Sequence, residues 1–258
     1  MLVLPFLSAA ALLRLPAGPL FTALVLVFAL FLLRAPLIVL ARQQWVWRDL
    51  HEETQPARSA VLLFGVTASL AAIPILLGLP RSVWPVAIAC AAAATGLMAV
   101  SIWLAIRNKH HSILFQAVGS VGLAASSLTV ALAAGNTIPF AIWLLWAGSA
   151  LHGVAAIPIV HARLALRRRQ SPSLWKAGAG IVLTAAAAAA TAVAAGSGGP
   201  FQGITTALVF STIAHTGEWL AIRSPRAPET RLTHLGLRLM SVSILFTVIL
   251  YFGVAALL

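Results

Sequence analysis

Two long apolar segments without charged residues, joined by a short turn, constrain this chain more than any other feature. They cover residues 113–134 and about 140–160, with the turn at 135–139 between them. Each is about 20 residues long, and at ~1.5 Å of rise per residue a helix of that length crosses the ~30 Å hydrocarbon layer of a bilayer. Basic residues flank the pair at 107–111 and 163–169. The pattern predicts a transmembrane helical hairpin whose two basic ends lie on one side of the membrane.

Composition favours a membrane protein over a soluble one. Of the 258 residues, 61% are hydrophobic and 9% are charged, whereas soluble domains carry ~25% charged residues. The formal net charge of +12 would suggest a nucleic-acid partner in a soluble protein, but here the cations lie in short loops between apolar segments. This placement predicts contact with membrane lipids and no nucleic-acid partner. Cys90 is the only cysteine, which excludes an intrachain disulfide.

The apolar segments predict an all-α, polytopic membrane helix bundle of about nine transmembrane helices, forming a single integral membrane domain over residues 1–258. The first span is short, and we expect it to be truncated or tilted. The predicted spans lie at about 2–13, 20–41, 60–79, 84–106, 113–134, 140–160, 177–195, 204–222 and 235–257.

The basic residues predict an orientation for these spans. With odd spans running from inside to outside, the loops after spans two, four, six and eight hold thirteen of the 17 Lys and Arg residues. Arg34 and Arg238 lie within snorkelling reach of the same side. Because cytoplasmic loops carry the excess of Lys and Arg, we expect a cytoplasmic (inner) membrane protein with a cytoplasmic N-terminus and an extracytoplasmic C-terminus.

Two short similarities suggest an internal repeat. WLAIR occurs at residues 103–107 and again at 219–223, and spans two and six end in related Pro-, Val-, Ala- and Arg-containing strings. Matches four spans apart favour two parallel four-helix copies, with halves at about 1–110 and 111–258. Chance similarity in a chain rich in Ala, Leu and Ile is the alternative.

Ionisable side chains inside spans are the first candidates for a functional site, because they are costly in a bilayer. His152 lies near the middle of span six, and His215 and Glu218 are three residues apart on one face of span eight. We interpret them as lining an internal cavity that binds a ligand or a proton. The alternative is structural: Glu218 pairs with His215 or Arg223, and His152 donates one hydrogen bond to a neighbouring helix.

Arg34, Arg42 and Arg163 are the second set of candidates. They could form a basic mouth that binds an anionic headgroup or a phosphorylated ligand, although orientation alone predicts the same residues. Asp49, Glu52 and Glu53 could bind a divalent cation, or could pair with the neighbouring arginines. The sequence contains no nucleotide-binding loop, zinc-protease motif, nucleophile elbow or haem motif, so we predict no cofactor, no metal site and no catalytic residue.

Several strings resemble the YwiC-like integral membrane proteins of bacteria. They are LVLPF at residues 2–6, FLLRAPL at 31–37, HSIL at 111–114, WLL at 143–145, VHAR at 160–163, LGL at 235–237 and SILF at 243–246. The family places an HGAW-like segment just before the first string, where Met1 stands here. The resemblance therefore implies either a true N-terminus upstream of Met1 or loss of that segment. It implies an architecture and leaves the activity open.

The expected topology also looks like that of the UbiA prenyltransferases, which hold Mg²⁺ and a prenyl diphosphate through Asp-rich motifs in the loops after spans two and six. Here the loop after span six contains no acidic residue, so that magnesium site cannot form in the same way. We expect a non-enzymatic membrane protein that binds or translocates a small hydrophobic, lipidic or anionic molecule. A divergent prenyltransferase-like enzyme and a structural or assembly factor for a membrane complex are the alternatives.

The orientation can be tested with reporter fusions. We expect alkaline phosphatase fused after Leu258 to be active, and green fluorescent protein fused after Gln170 to fluoresce, because the basic loop that contains Gln170 should stay in the cytoplasm. A cytosolic reporter at Leu258 would contradict an odd number of spans.

Overall fold

The structure, a computed structural model, describes residues 2–48, 52–109, 112–135, 137–196, 199, 201–224 and 232–258. Over these residues the chain forms ten α-helices and no β-strand. A π-helical turn, Gln43–Trp47, continues α2, and a 3-10 turn, Arg81–Val83, precedes α4. The helices are α1 (Val3–Leu12), α2 (Ala17–Arg42), α3 (Thr54–Gly78), α4 (Trp84–Ile106), α5 (Ile113–Ala124), α6 (Ser126–Ala133), α7 (Phe140–Arg167), α8 (Leu174–Ala195), α9 (Gln202–Ile222) and α10 (Leu232–Ala255).

The predicted all-helical bundle is confirmed, with a helix at each of the nine predicted spans. Only Ala125 separates α5 from α6, and the two together form the fifth span. In the part of the chain that the structure describes, seven helical segments are long and apolar enough to cross a membrane. The two predicted spans outside this set are α1, which has only 10 residues, and α9, which is long enough at 21 residues but carries many polar side chains.

Some helices extend further than the apolar segments that predicted them. α3 begins at Thr54, whereas the hydropathy pattern placed its start at about Ala60. α7 ends at Arg167, whereas the apolar segment ends at about Val160. Hydropathy marks the part of a helix that lies in hydrocarbon, while each residue added to an existing helix gains a further backbone hydrogen bond, so the helix continues into polar sequence.

The chain divides into two compact units. Unit 1 contains Met1–Ser8 and Phe140–Leu258, and unit 2 contains Ala9–Pro139. The single domain over 1–258, with halves at about 1–110 and 111–258, stays a prediction. So does the internal repeat, although its two WLAIR strings share one local contact: Arg107 stacks over Trp103 and Arg223 stacks over Trp219, with Cζ 4.7 and 3.6 Å from the ring centroids.

Unit 2 is built around α2, which packs against α3, α4 and α6, while α5 packs against α4. Its small buried cluster of Leu79, Val83 and Ala87 is covered by Leu132. Large apolar side chains on the outer faces remain exposed, for example Leu62 at 68%. Apolar faces of this extent are typical of surfaces that contact lipid.

Unit 1 is built around α7, which packs against α8, α9 and α10, with α9 also contacting α8 and α10. Half of the residues in the span of α7 are buried, compared with 11% in α3. A cluster of Ile159, Ala162, Ala177 and Ile222 joins α7 to the helices beside it. α7 is therefore the most buried of the seven long apolar segments, and polar side chains on its buried face are shielded from lipid.

Two threonine pairs hydrogen-bond α9 to α8. The Thr212 hydroxyl donates to the Thr184 hydroxyl at 3.1 Å, and the Thr205 hydroxyl donates to the Thr191 hydroxyl at 3.0 Å. Lipid tails are as apolar as leucine, so membrane helices associate largely through close packing and such interhelical hydrogen bonds. The alanine-rich sequence of α8 permits the close approach on which these bonds depend.

α9 and α10 come into backbone contact at Gly203 and Gly253. A Cβ atom on Gly253 would lie 2.5 Å from the Gly203 carbonyl carbon and 2.7 Å from the Ile204 nitrogen. Both neighbours are backbone atoms, which cannot move aside as the end of a side chain can. Only glycine at these two positions permits this helix spacing.

We expect Gly253→Ala to destabilise unit 1 by about 1–3 kcal/mol, the usual cost of overpacking. Gly217→Ala in α9 is the matched control, since a Cβ at Gly217 would meet no atom within 4 Å. Thermal unfolding of the detergent-solubilised protein, followed by its tryptophan fluorescence, would measure both. Equal melting temperatures for the two variants would contradict the close contact.

Candidate functional site

A group of deeply buried polar residues of unit 1 meets where α7, α9 and α10 pack together. His152 on α7 is 2% exposed and His215 on α9 is 1% exposed. Nδ1 of His152 lies 2.8 Å from the Ser211 hydroxyl on α9, and its Nε2 lies 3.1 Å from the Ser243 hydroxyl on α10. Because each serine can donate or accept, either tautomer of His152 is compatible with these bonds. One imidazole thus links three helices.

Aromatic stacking fixes the plane of the His152 ring. Its centroid lies 5.0 Å from that of His215 and 4.2 Å from that of Phe246, with interplanar angles of 19° and 9°. The three rings therefore form a nearly parallel stack. Two imidazolium charges at 5.0 Å in a low-dielectric interior would repel each other strongly. The stack suits two neutral rings, or one charged and one neutral.

His215 has unused hydrogen-bonding capacity. Its Nδ1 lies 3.4 Å from the Ser211 hydroxyl, while its Nε2 is buried and has no hydrogen-bond partner among the described residues. The hydroxyl of Ser149, also buried, likewise has none. Ser149 precedes His152 by three residues and so lies on the same face of α7. Buried polar groups are almost always satisfied, so these two atoms call for an explanation.

Glu218 joins the same three helices by ion pairs. One carboxylate oxygen lies 3.4 Å from Nη2 of Arg163 on α7, and the other pairs with Nη2 of Arg238 on α10. The side chain of Arg163 is 4% exposed, whereas that of Arg238 is 53% exposed. One carboxylate between two guanidinium groups leaves the Glu218 cluster (Arg163, Glu218 and Arg238) with one net positive charge.

The structure brings together four of the six residues singled out from the sequence. His152 contacts His215 directly, Glu218 follows His215 by three residues on α9, and Arg163 pairs with Glu218. One part of the structural alternative, the pairing of Glu218 with His215 or Arg223, is wrong: the ion-pair partners of Glu218 lie on α7 and α10, and Arg223 stacks on Trp219. The other part agrees with the structure, since His152 hydrogen-bonds serines on neighbouring helices. The expectation for Glu218 came from the spacing of residues along α9 alone and did not consider partners on other helices.

Sequence reasoning missed four residues of this site. Ser211 lies four residues before His215, and that helical spacing could have indicated it. The others come from α10, and nothing in the sequence aligns that helix with α7. These residues are Ser211, Arg238, Ser243 and Phe246.

The other two singled-out residues, Arg34 and Arg42, belong to unit 2. Arg42 donates to the Asn108 side-chain oxygen at 3.1 Å and stacks over Trp47. The acidic loop is described only in part: Glu52 is exposed, and Asp49 and His51 lie outside the described residues. Where the structure describes the chain, no group of three His, Cys, Asp or Glu side chains could hold a metal ion.

Comparison with known proteins places the chain in a family. A sequence model described as YwiC-like protein matches residues 1–134, more than half of the 258 residues. The chain belongs to the YwiC-like family. This YwiC-like protein matches no curated protein and no solved structure. The family match covers nearly all of unit 2, whereas the α7, α9 and α10 site of the YwiC-like protein lies outside the matched residues.

We expect Glu218→Gln to destabilise the YwiC-like protein by about 3 kcal/mol or more, because it leaves the buried Arg163 guanidinium without its carboxylate partner. Arg238→Gln should cost much less, since that side chain is half exposed. Glu52→Gln, at an exposed position, is the control. Melting temperatures of the three variants in one detergent would rank them. A Glu218→Gln variant as stable as Glu52→Gln would contradict the role of the ion pair.

Proposed function

We propose that this YwiC-like protein is a non-enzymatic protein of the bacterial cytoplasmic membrane that binds or moves a small or lipidic molecule at the site formed by α7, α9 and α10. The residues that would contact the molecule are His152, His215 and Glu218, with Arg163 holding Glu218 in place. No catalytic residue or cofactor is part of the proposal.

The cost of burying polar groups supports a binding role. In a bilayer, burying a polar side chain away from water costs several kcal/mol of free energy unless the side chain is hydrogen-bonded. A helix bundle that needed only stability could use apolar side chains at these positions. Here two histidines, two serines and a carboxylate with two arginines gather on three facing helices.

The observation that carries the proposal is the buried Nε2 of His215. This nitrogen has no partner among the described residues. By contrast, both nitrogens of His152, whose ring stacks on that of His215, are hydrogen-bonded. The unpartnered hydroxyl of Ser149 is on the same face of α7 as His152. A ligand with hydrogen-bonding groups would provide partners for the His215 nitrogen and the Ser149 hydroxyl. Its apolar part would pack against the aliphatic side chains of the surrounding helices.

The positions of arginines at the ends of the even spans support the proposed orientation. Arginines end or immediately follow α2, α4, α7 and α9, which are the second, fourth, sixth and eighth spans. Cytoplasmic loops carry this excess of cations, and a cation at a helix C-terminus also interacts favourably with the helix dipole. With this orientation, the Glu218 cluster lies toward the cytoplasmic end of the site.

The proposal can be tested by identifying what copurifies with the protein. Wild type, His215→Ala and His234→Ala would be purified identically and extracted, and the lipids and metabolites would be compared by mass spectrometry. His234 is the matched control because it is an exposed histidine on α10. We expect at least one molecule to be enriched with wild type and with His234→Ala, and about tenfold depleted with His215→Ala, the effect of losing one buried hydrogen bond.

Two results would contradict a binding site at His215. One is the same set of bound molecules in all three preparations. The other is a wild-type preparation that contains no molecule beyond those of an empty-membrane control. Circular dichroism and melting temperature of His215→Ala would show whether depletion reflects a lost contact or a lost fold.

A further inference from the structure

Unit 2 contains an arginine inside a span that has no acidic partner in the described part of the chain. Arg34 lies eight residues before Arg42, the last residue of α2, which places its Cα ~12 Å along the helix from that end. Among the described residues, Arg34 pairs with no carboxylate. In unit 1, by contrast, the buried Arg163 is paired with Glu218. An arginine inside a span normally pairs with an acid or with backbone carbonyls, or faces water.

Two neighbouring helices, α4 and α5, hold the Arg34 guanidinium group in place. Its Cζ lies 4.4 Å from the centroid of Phe115 on α5, and its Nη2 lies 3.5 Å from the hydroxyl of Ser101 on α4. A Cβ on Gly119, one turn after Phe115, would lie only 3.2 Å from Nη1. The guanidinium group therefore lies directly against the α5 backbone at Gly119, and a side chain at that position would push it aside by a few tenths of an ångström.

The hydrogen-bond donors of Arg34 are mostly unused. A guanidinium group has five N–H donors, and the one hydrogen bond that Arg34 makes to the described residues, to Ser101, is long at 3.5 Å. Its Nε is buried and has no partner among the described residues. The cation–π contact with Phe115 stabilises part of the positive charge but provides no hydrogen-bond acceptor for the N–H donors. The geometry thus leaves a positive charge and a fork of N–H groups available to an acceptor.

We propose that Arg34 binds an oxyanion, the phosphate or carboxylate group of an anionic lipid headgroup or of a small soluble molecule. Two oxygens of a carboxylate or phosphate group match the fork of a guanidinium group, which binds them through two parallel hydrogen bonds. Phe115 and Ser101 orient the group, and Gly119 leaves room for it. The binding site lies within unit 2 and is independent of the His215 site of unit 1.

Arg42 extends the same positive region toward the end of α2. Its guanidinium group stacks over Trp47 and donates to Asn108, while its Nε is buried without a partner among the described residues. Two arginines two turns apart on one helix raise the local concentration of anions at the end of that helix. An anion attracted by Arg42 would reach Arg34 along α2.

The test uses the 258-residue protein, freed of detergent and reconstituted in nanodiscs. The nanodiscs contain zwitterionic phosphatidylcholine, with or without anionic phosphatidylglycerol. A second arm keeps phosphatidylcholine alone and adds inorganic phosphate, with chloride at the same ionic strength as its control. The readout is the melting temperature followed by tryptophan fluorescence, from which an apparent affinity is obtained for each anion. Stabilisation by phosphatidylglycerol alone identifies a lipid headgroup, and stabilisation by inorganic phosphate identifies a soluble anion.

Two substitutions locate the effect at Arg34. Arg34→Gln removes the charge. We expect it to lower the affinity for the stabilising anion about tenfold or more, as for the loss of a charge-assisted hydrogen bond. Arg81→Gln removes the same charge from an exposed turn of unit 2 and should leave the affinity unchanged. Gly119→Ala keeps the charge and displaces the guanidinium group, so it should weaken binding even if Arg34→Gln fails to fold.

Three outcomes would overturn the proposal. The first is that neither anion stabilises wild type more than its control does. The second is that Arg34→Gln and Gly119→Ala both bind the anion as tightly as wild type. The third is that Arg81→Gln loses as much affinity as Arg34→Gln. The last outcome would assign the effect to overall positive charge. Because no step involves His215, failure here leaves the copurification result of His215→Ala unaffected, and the reverse also holds.

Discussion

The need to satisfy polar groups away from water is the constraint on which the rest of this structure depends. A bilayer interior offers no hydrogen-bond partners, so every buried donor or charge must find one inside the protein or retain a ligand. Unit 1 meets this need by gathering its polar side chains onto facing surfaces of α7, α9 and α10, where serines bond His152 and two arginines bond Glu218. Apolar side chains are left to contact lipid.

The two units differ in how completely they meet this constraint. In unit 1 the charge inside the bundle is opposed by a charge of the other sign, and the Nε2 of His215 and the hydroxyl of Ser149 have no hydrogen-bond partner among the described residues. In unit 2 the charge of Arg34 faces an aromatic ring and a hydroxyl, and it meets no carboxylate in the described part of the chain. An imidazole nitrogen without a partner suits a ligand with hydrogen-bonding groups, whereas a guanidinium group without a carboxylate suits an anion. The two units thus present different chemistry to whatever they bind.

Membership of the YwiC-like family and the helical architecture follow from features that are local in sequence. A 20-residue apolar segment determines its own helix, because its backbone has no other hydrogen-bond partners in lipid. The exceptions show the limits of this rule. α1 is too short to span, and α9 is less apolar than the seven long helical segments. The polar residues that lower the hydropathy of α9 include those that form the candidate site.

The amino-acid sequence is enough to predict the all-helical membrane class and the approximate position of each span. It also singles out His152, His215, Glu218 and the intramembrane arginines as candidates, because an ionisable residue in an apolar segment is visible without a structure. Which of these residues meet depends on how the helices pack. The pairing of Glu218 with Arg163 depends on how α9 is rotated and shifted against α7. The pairing of Glu218 with Arg238, and of His152 with Ser243, depends on how α10 is placed against both. That arrangement comes from packing contacts such as Gly203 against Gly253, which join residues far apart in the chain and leave no periodic signal in it.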